Sequence, residues 1–185
     1  MLTVKKLEQF TIEDQESFGF NGFKTDKIYA VEKRECEDEL IISVKIKDLE
    51  ETYQKKWSRS SASEKFFQEV IKQNLSFGAY IHEELAGVLI ASEIKWNNSL
   101  WIENIIISER YRGNGIGKAL LDNLMKLAAE RKIRIIGLET QGSNYPAIQF
   151  YKKHGFEIDG IDFSLYPSKD ESNPDVAIIM KRKVI

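Results

Sequence analysis

Trp101-Ile-Glu-Asn-Ile-Ile-Ile107, followed after a short gap by Arg112-Gly-Asn-Gly-Ile-Gly-Lys118, is the stretch on which the reading of this chain turns. The first segment is an apolar run of strand length. The second opens a helix: from Gly115 to Arg131, Ile116, Leu120, Leu124 and Leu127 recur on one face while Lys118, Asp122, Lys126 and Glu130 fall elsewhere. A glycine-rich turn between a strand and a helix start suits an anion, because the first helical turn exposes unpaired N–H groups at the positive end of the macrodipole. Glycines remove the side chains that would keep the anion away. Gly113, Gly115 and Gly117, at every second position between Arg112 and Lys118, favour a phosphate ligand over an ordinary strand-to-helix turn.

Two phosphate loops are excluded. A Walker loop fails because Arg112 stands where its first glycine belongs and Ala119 replaces the magnesium-binding hydroxyl. The dinucleotide fingerprint fails because its last glycine would fall on Lys118 or Leu120. The pattern that fits is R-x-x-G-x-G.

Outward from this motif, the spacing predicts a mixed α/β chain. A strand at Ile133 to Thr140 follows the helix and lies parallel to Leu100 to Ile107, making a βαβ unit. A helix at Tyr145 to Lys153 has Asn144 as cap, Pro146 in its first turn and Gly155 as its stop. Strands at Phe156 to Tyr166 and Val176 to Lys181 flank a polar loop, Pro167 to Pro174. Upstream, Ser76 to His82, a turn at Glu83-Glu84, Leu85 to Trp96 and a turn at Asn97-Asn98 build an antiparallel meander into Leu100 to Ile107. Ser61-x-x-Glu64 has the form of a capping box, with Phe66, Phe67, Val70 and Ile71 behind it, for a helix over Ala62 to Asn74. Lys27 to Glu32 and Leu40 to Ile46 read as strands.

The 185 residues match one domain, 42% hydrophobic and 30% charged, with enough apolar material for a core. A net charge of −2 lacks the basic excess of a duplex nucleic-acid binder. Residues 1–92 carry 13 basic against 17 acidic side chains and residues 93–185 carry 14 against 12, so the N-terminal half suits a cation. Cys36, His82 and His154 form neither a disulfide framework nor a metal cluster, so no metal is expected. Met1 to Phe10, with Lys5, Lys6 and Glu8, has no signal-peptide core, and no run approaches a membrane span. The expectation is a cytoplasmic protein without membrane or nucleic-acid partners.

On Arg112 to Gly117, the strand before it, and Asn144-x-x-Ala147-x-x-Phe150-Tyr151 with Gly155-Phe156, the sequence resembles the GNAT superfamily of N-acetyltransferases. The resemblance covers residues 75–166 and implies a single acetyltransferase domain over 1–185, with 1–60 a divergent substrate-side portion. It implies the GNAT fold: a twisted, mostly antiparallel sheet with a central parallel strand pair and flanking helices. That pair splays between the strand ending at Ile107 and Gly137 to Thr140. The implied cosubstrate is acetyl-CoA, its diphosphate on the loop Arg112, Gly113, Asn114, Gly115, Ile116, Gly117 and Lys118. Its pantetheine arm lies along Ile105, Ile106 and Ile107, and Asn144, Ala147 and Tyr151 contribute the second segment.

Tyr151 aligns with the family's general acid, which protonates the departing thiolate. Glu103 corresponds to a carboxylate that draws a proton from the amine, and alternation puts it on the face of Ile105 and Ile107. Glu139 is the further candidate, for holding the substrate ammonium, a role Glu103 shares. His154 reads as a last-turn residue favoured by the helix dipole, and Cys36 between Glu35 and Glu37 is no nucleophile. The segments Gly137 to Gln141, Asn144 to Tyr151 and Asp162-Phe-Ser-Leu-Tyr166 look most like streptothricin acetyltransferases, which implies a small cationic amine acceptor and antibiotic resistance. Acetylation of a protein N-terminus or lysine, and a non-catalytic acyl-CoA-binding module, stand as alternatives. An edge strand near the C-terminus would serve a homodimer.

Overall fold

The computed structural model describes residues 1–58, 60–166 and 175–184. The expected polar loop Pro167 to Pro174 lies outside them. The chain divides into two compact units. One comprises Met1–Asn21, Lys56–Leu138 and Lys181–Ile185, the other Gly22–Lys55 and Glu139–Met180.

In the first unit, strands β1 (Leu2–Lys6), β4 (Phe77–Ile81), β5 (Glu84–Ile94), β6 (Ser99–Ile107) and β7 (Ile135–Gln141, as far as Leu138) lie in the order β1-β4-β5-β6-β7. The pairs β1–β4, β4–β5 and β5–β6 are antiparallel, and β6–β7 is parallel. The βαβ reading therefore holds. Helix α1 (Ile12–Ser17), unforeseen in the sequence reading, begins with a capping box: Asp14 N–H donates to Thr11 Oγ1 at 3.1 Å and Thr11 N–H to Asp14 at 2.8 Å. Leu7, Phe10, Phe18, Val70, Ile71, Val88 and Ile90 form a core cluster of this unit.

The meander turns differ from expectation. The β4–β5 turn sits on His82 (φ 48°) and Glu83 (φ 70°), one residue before Glu83-Glu84, since two left-handed residues match the twist of the flanking strands. The β5–β6 connection is a 3₁₀ turn, Lys95–Asn97, closed by left-handed Asn98 rather than by a two-residue turn. Helix α2 (Ser61–Ile71) is capped by Ser60, whose Oγ accepts from Ser63 N–H at 3.1 Å. Glu64, expected to complete a box with Ser61, instead accepts from Ile12 N–H at 3.0 Å. Helix α3 (Ile116–Glu130) buries Ile116, Leu120, Leu121, Leu124 and Ala128, so the apolar stripe leans towards Leu121 and Ala128 and leaves Leu127 half-buried.

In the second unit, β2 (Gly22–Cys36) and β3 (Glu39–Lys56, as far as Lys55) form a two-stranded ribbon much longer than the two short strands expected. Its charges fall on both faces and Leu40, Ile42 and Ile46 are exposed, so alternation is a poor guide there. Helix α4 (Tyr145–Lys153) matches its expected bounds. Strand β8 (Glu157–Asp162) neighbours β9 (Ala177–Lys183). It stops short of Tyr166 because Asp162 folds back to accept from Ser164 N–H at 2.8 Å, turning the chain. No helix among the described residues is long and apolar enough to cross a membrane.

Candidate active site

The glycine loop belongs to the first unit. Strand β6 ends at Ile107, a 3₁₀ turn spans Glu109–Tyr111, and Gly113 (φ +80°) and Gly115 (φ +76°) take left-handed backbone before α3 begins at Ile116. That conformation is costly for a residue with a Cβ. Around either glycine a Cβ would meet nothing within 4 Å, so the space beside the backbone is open. Gly115 is also the N-cap, and no side chain caps the first amides of α3. An exposed, uncapped N-terminus beside glycines is what an anionic diphosphate needs.

The flanking cations are otherwise engaged. Arg112 Nη2 donates to Phe20 O at 2.6 Å and Nε to Ile107 O at 3.3 Å, and Lys118 pairs with Asp122. Glu109 accepts from Phe20 N–H at 3.1 Å, while its own N–H donates to Phe18 O at 2.8 Å. Arg112 and Glu109 thus clamp the Phe18–Asn21 turn, a function the motif did not reveal. Asn114 Nδ2 folds back to Tyr111 O at 3.3 Å. What the loop offers an anion is mainly backbone N–H.

Along β6, Ile105, Ile106 and Ile107 are half-buried and pair with Leu89, Val88 and Gly87. The parallel ladder with β7 runs from Ser99↔Ile135 to Ile102↔Leu138. Gly137 and Leu138 are therefore paired, and the splay expected from Gly137 does not begin there.

Glu103 occupies a special position. The β5–β6 register passes from Ile90↔Asn104 to Ala91↔Ile102, so Glu103 is the extra residue of a β-bulge. Strict alternation with Ile105 and Ile107 is interrupted at this point, a correction to the sequence reading. The bulge aims the half-buried carboxylate at Ser92, whose Oγ donates to it at 2.6 Å. Only the register, which the sequence does not disclose, singles out Ser92.

The second unit holds the other candidates. Tyr151 is buried, edge-on to Phe150 (centroids 5.3 Å) and Phe156 (5.6 Å). Burial, helped by the nearby Glu139 charge, pushes its phenol well above the ordinary range, so it holds its proton. Glu139 accepts from the Tyr166 hydroxyl. Burial raises the Glu139 carboxyl and the Tyr166 bond partly offsets this, while Asp162 and Asp175 raise it further. Tyr166 is itself pushed far up, by burial and by its bond to Glu139. Asn144 Oδ1 accepts from Ala147 N–H at 3.3 Å, so a helix cap accounts for both residues. His154 Nδ1 lies 2.7 Å from Phe150 O, at the helix end as expected. Cys36 is exposed.

Beyond these, Asp175 gathers Lys55 Nζ (2.7 Å), Gln141 Nε2 (3.0 Å) and Ser143 Oγ (2.7 Å), a cluster with no local signal because its members are far apart in sequence.

The model of the Acetyltransferase (GNAT) family matches residues 44–156, more than half of the chain. The chain belongs to that family. It is 35% identical over 102 residues to streptothricin acetyltransferase of Escherichia coli, covering 55% of this chain and 58% of that protein. The chain spans about half the length of the curated relatives it matches. Among solved structures, a Bacillus anthracis str. Ames protein assigned as a streptothricin acetyltransferase, in complex with acetyl coenzyme A, superposes with a TM-score of 0.75 at 26% identity, covering 99% of each chain. Nourseothricin acetyltransferase has the same fold, with a TM-score of 0.75 at 24% identity over 100% of this chain and 99% of that one.

Proposed function

We propose that this protein is a cytoplasmic N-acetyltransferase that moves an acetyl group from acetyl-CoA to a primary amine of a small cationic acceptor, with streptothricin the specific candidate. The observation that carries the reading is the open, uncapped start of α3 behind Gly113 and Gly115. The likeness to a protein solved with acetyl coenzyme A and to streptothricin acetyltransferases supports it.

In this reading the amides from Gly113 to Lys118 hold the diphosphate and Ile105 to Ile107 lend backbone to the pantetheine arm. Asn144 and Ala147 act through the cap that fixes the start of α4. Glu139 holds the acceptor ammonium and Glu103, oriented by Ser92, takes its proton. The free amine then forms the carbon–nitrogen bond as the carbon–sulfur bond breaks, Tyr151 gives its phenolic proton to the leaving thiolate, and the second proton shed by the acylated nitrogen restores the phenol. A phenol held protonated by burial suits that step. Strand β8, at the end of the strand order, is the edge through which a homodimer would pair.

The test is thiol release from acetyl-CoA with a panel of small amines, streptothricin included, alongside peptides. Turnover with small cationic amines supports the reading. Turnover confined to peptides transfers it to protein acetylation, and tight acetyl-CoA binding with no turnover makes the protein a binding module.

A further inference from the structure

The Asp175 cluster is more elaborate than its place at the end of a connection requires. Three side chains from two separate segments converge on one carboxylate, and the Lys55 ammonium among them also lies 6.0 Å from the centroid of the Tyr166 ring. A carboxylate and an aromatic face are the two groups that recognise an alkylammonium. The pair is partly open, with 26% of the Lys55 side chain and 23% of the Asp175 side chain exposed, so an outside cation can compete for it. Gln141 is 6% exposed and directs its amide at Asp175, yet its Oε1 is buried without a hydrogen-bond partner. A buried amide oxygen left unpaired is costly, so this pocket has acceptor capacity that Lys55 does not use and an N–H donor of an incoming ligand can take up. Tyr166 connects the cluster to Glu139, the carboxylate proposed above to hold the reacting amine.

We propose that Asp175, Gln141, Ser143 and the Tyr166 ring form a second ammonium subsite, and that Lys55 fills it as an intramolecular stand-in until a diamine acceptor displaces it. The acceptor class is then an alkyl chain with two ammonium groups, one at Glu139 for acetylation and one at Asp175 for grip. This rests on the acetyl-transfer reading for the role of Glu139.

Calorimetric titration of putrescine and of butylamine into the whole protein, with Lys55→Met and Asp175→Asn, tests it. Wild type should bind putrescine more tightly than butylamine. Lys55→Met should tighten putrescine about tenfold, because the binding-competent state is no longer masked, and leave butylamine and acetyl-CoA within about twofold. Asp175→Asn should erase the preference for the diamine. Should Lys55→Met fail to fold, Lys55→Arg decides: a bidentate grip on Asp175 should weaken putrescine about threefold. Putrescine affinity that is unchanged or weaker in Lys55→Met, or unchanged in Lys55→Arg, overturns the subsite. If these shifts occur but no amine is acetylated, the subsite stands and the acetyl-transfer reading falls; acetylation with no shift gives the reverse.

Discussion

The glycine loop in the first unit and the Glu139–Tyr166–Asp175 cluster in the second illustrate two ways of building a site. The loop works through main chain: positive-φ glycines, an uncapped helix start, and cations engaged elsewhere. The cluster works through side chains from four separate segments of sequence. A backbone site is written in consecutive residues and tolerates change around it. A side-chain site is written nowhere in particular, and each member is separately vulnerable.

The largest effect that would sharpen this contrast is at Tyr151. Tyr151→Phe keeps the packing against Phe150 and Phe156, so it should lower turnover about a hundredfold while acetyl-CoA affinity stays within about twofold. Unchanged turnover removes the acid role. Next comes the loop. Gly115→Val puts a β-branched residue at φ +76°, costing about 1–2 kcal/mol of stability. By displacing the amides it should weaken acetyl-CoA about tenfold, which thermal melts and calorimetry would measure together. A variant binding as tightly as wild type breaks the backbone account.

Glu139 gives a pH signature. Its folded carboxyl titrates above the ordinary value, so the stability linked to its protonated form is fully present below that value and lost as pH rises through the folded one. Urea melts from about pH 4 to about pH 8 should therefore show wild type losing stability relative to Glu139→Gln as pH rises. Parallel curves would mean that the site carries no such strain. The smallest expected effect is at Ser92: removing the 2.6 Å bond to Glu103 with Ser92→Ala should cost about threefold in kcat/KM, without changing acetyl-CoA affinity.

The same contrast explains what could be read from the sequence. Helices α3 and α4, the parallel partner strand and the loop follow from periodicity, capping residues and glycine spacing, all local signals. Helix α1 had its signal in Thr11 and Asp14 but is only six residues long. The full length of the β2–β3 ribbon was hidden because its buried apolar residues, Phe23, Ile28 and Tyr29, sit in the first half of β2, while Leu40, Ile42 and Ile46 of β3 are exposed and mark no buried face. The bulge at Glu103, the Ser92 contact and the Lys55–Asp175 pair depend on register and long-range closure, which no single window of sequence contains.

The grip of α3's first amides on a diphosphate is tested most directly by comparing two ligands in calorimetry, acetyl-CoA and S-acetylpantetheine, which lacks the phosphates. Saturable binding of the first and a loss of at least about a hundredfold for the second is the predicted result. Equal affinity for both, or no binding of acetyl-CoA at all, would contradict it.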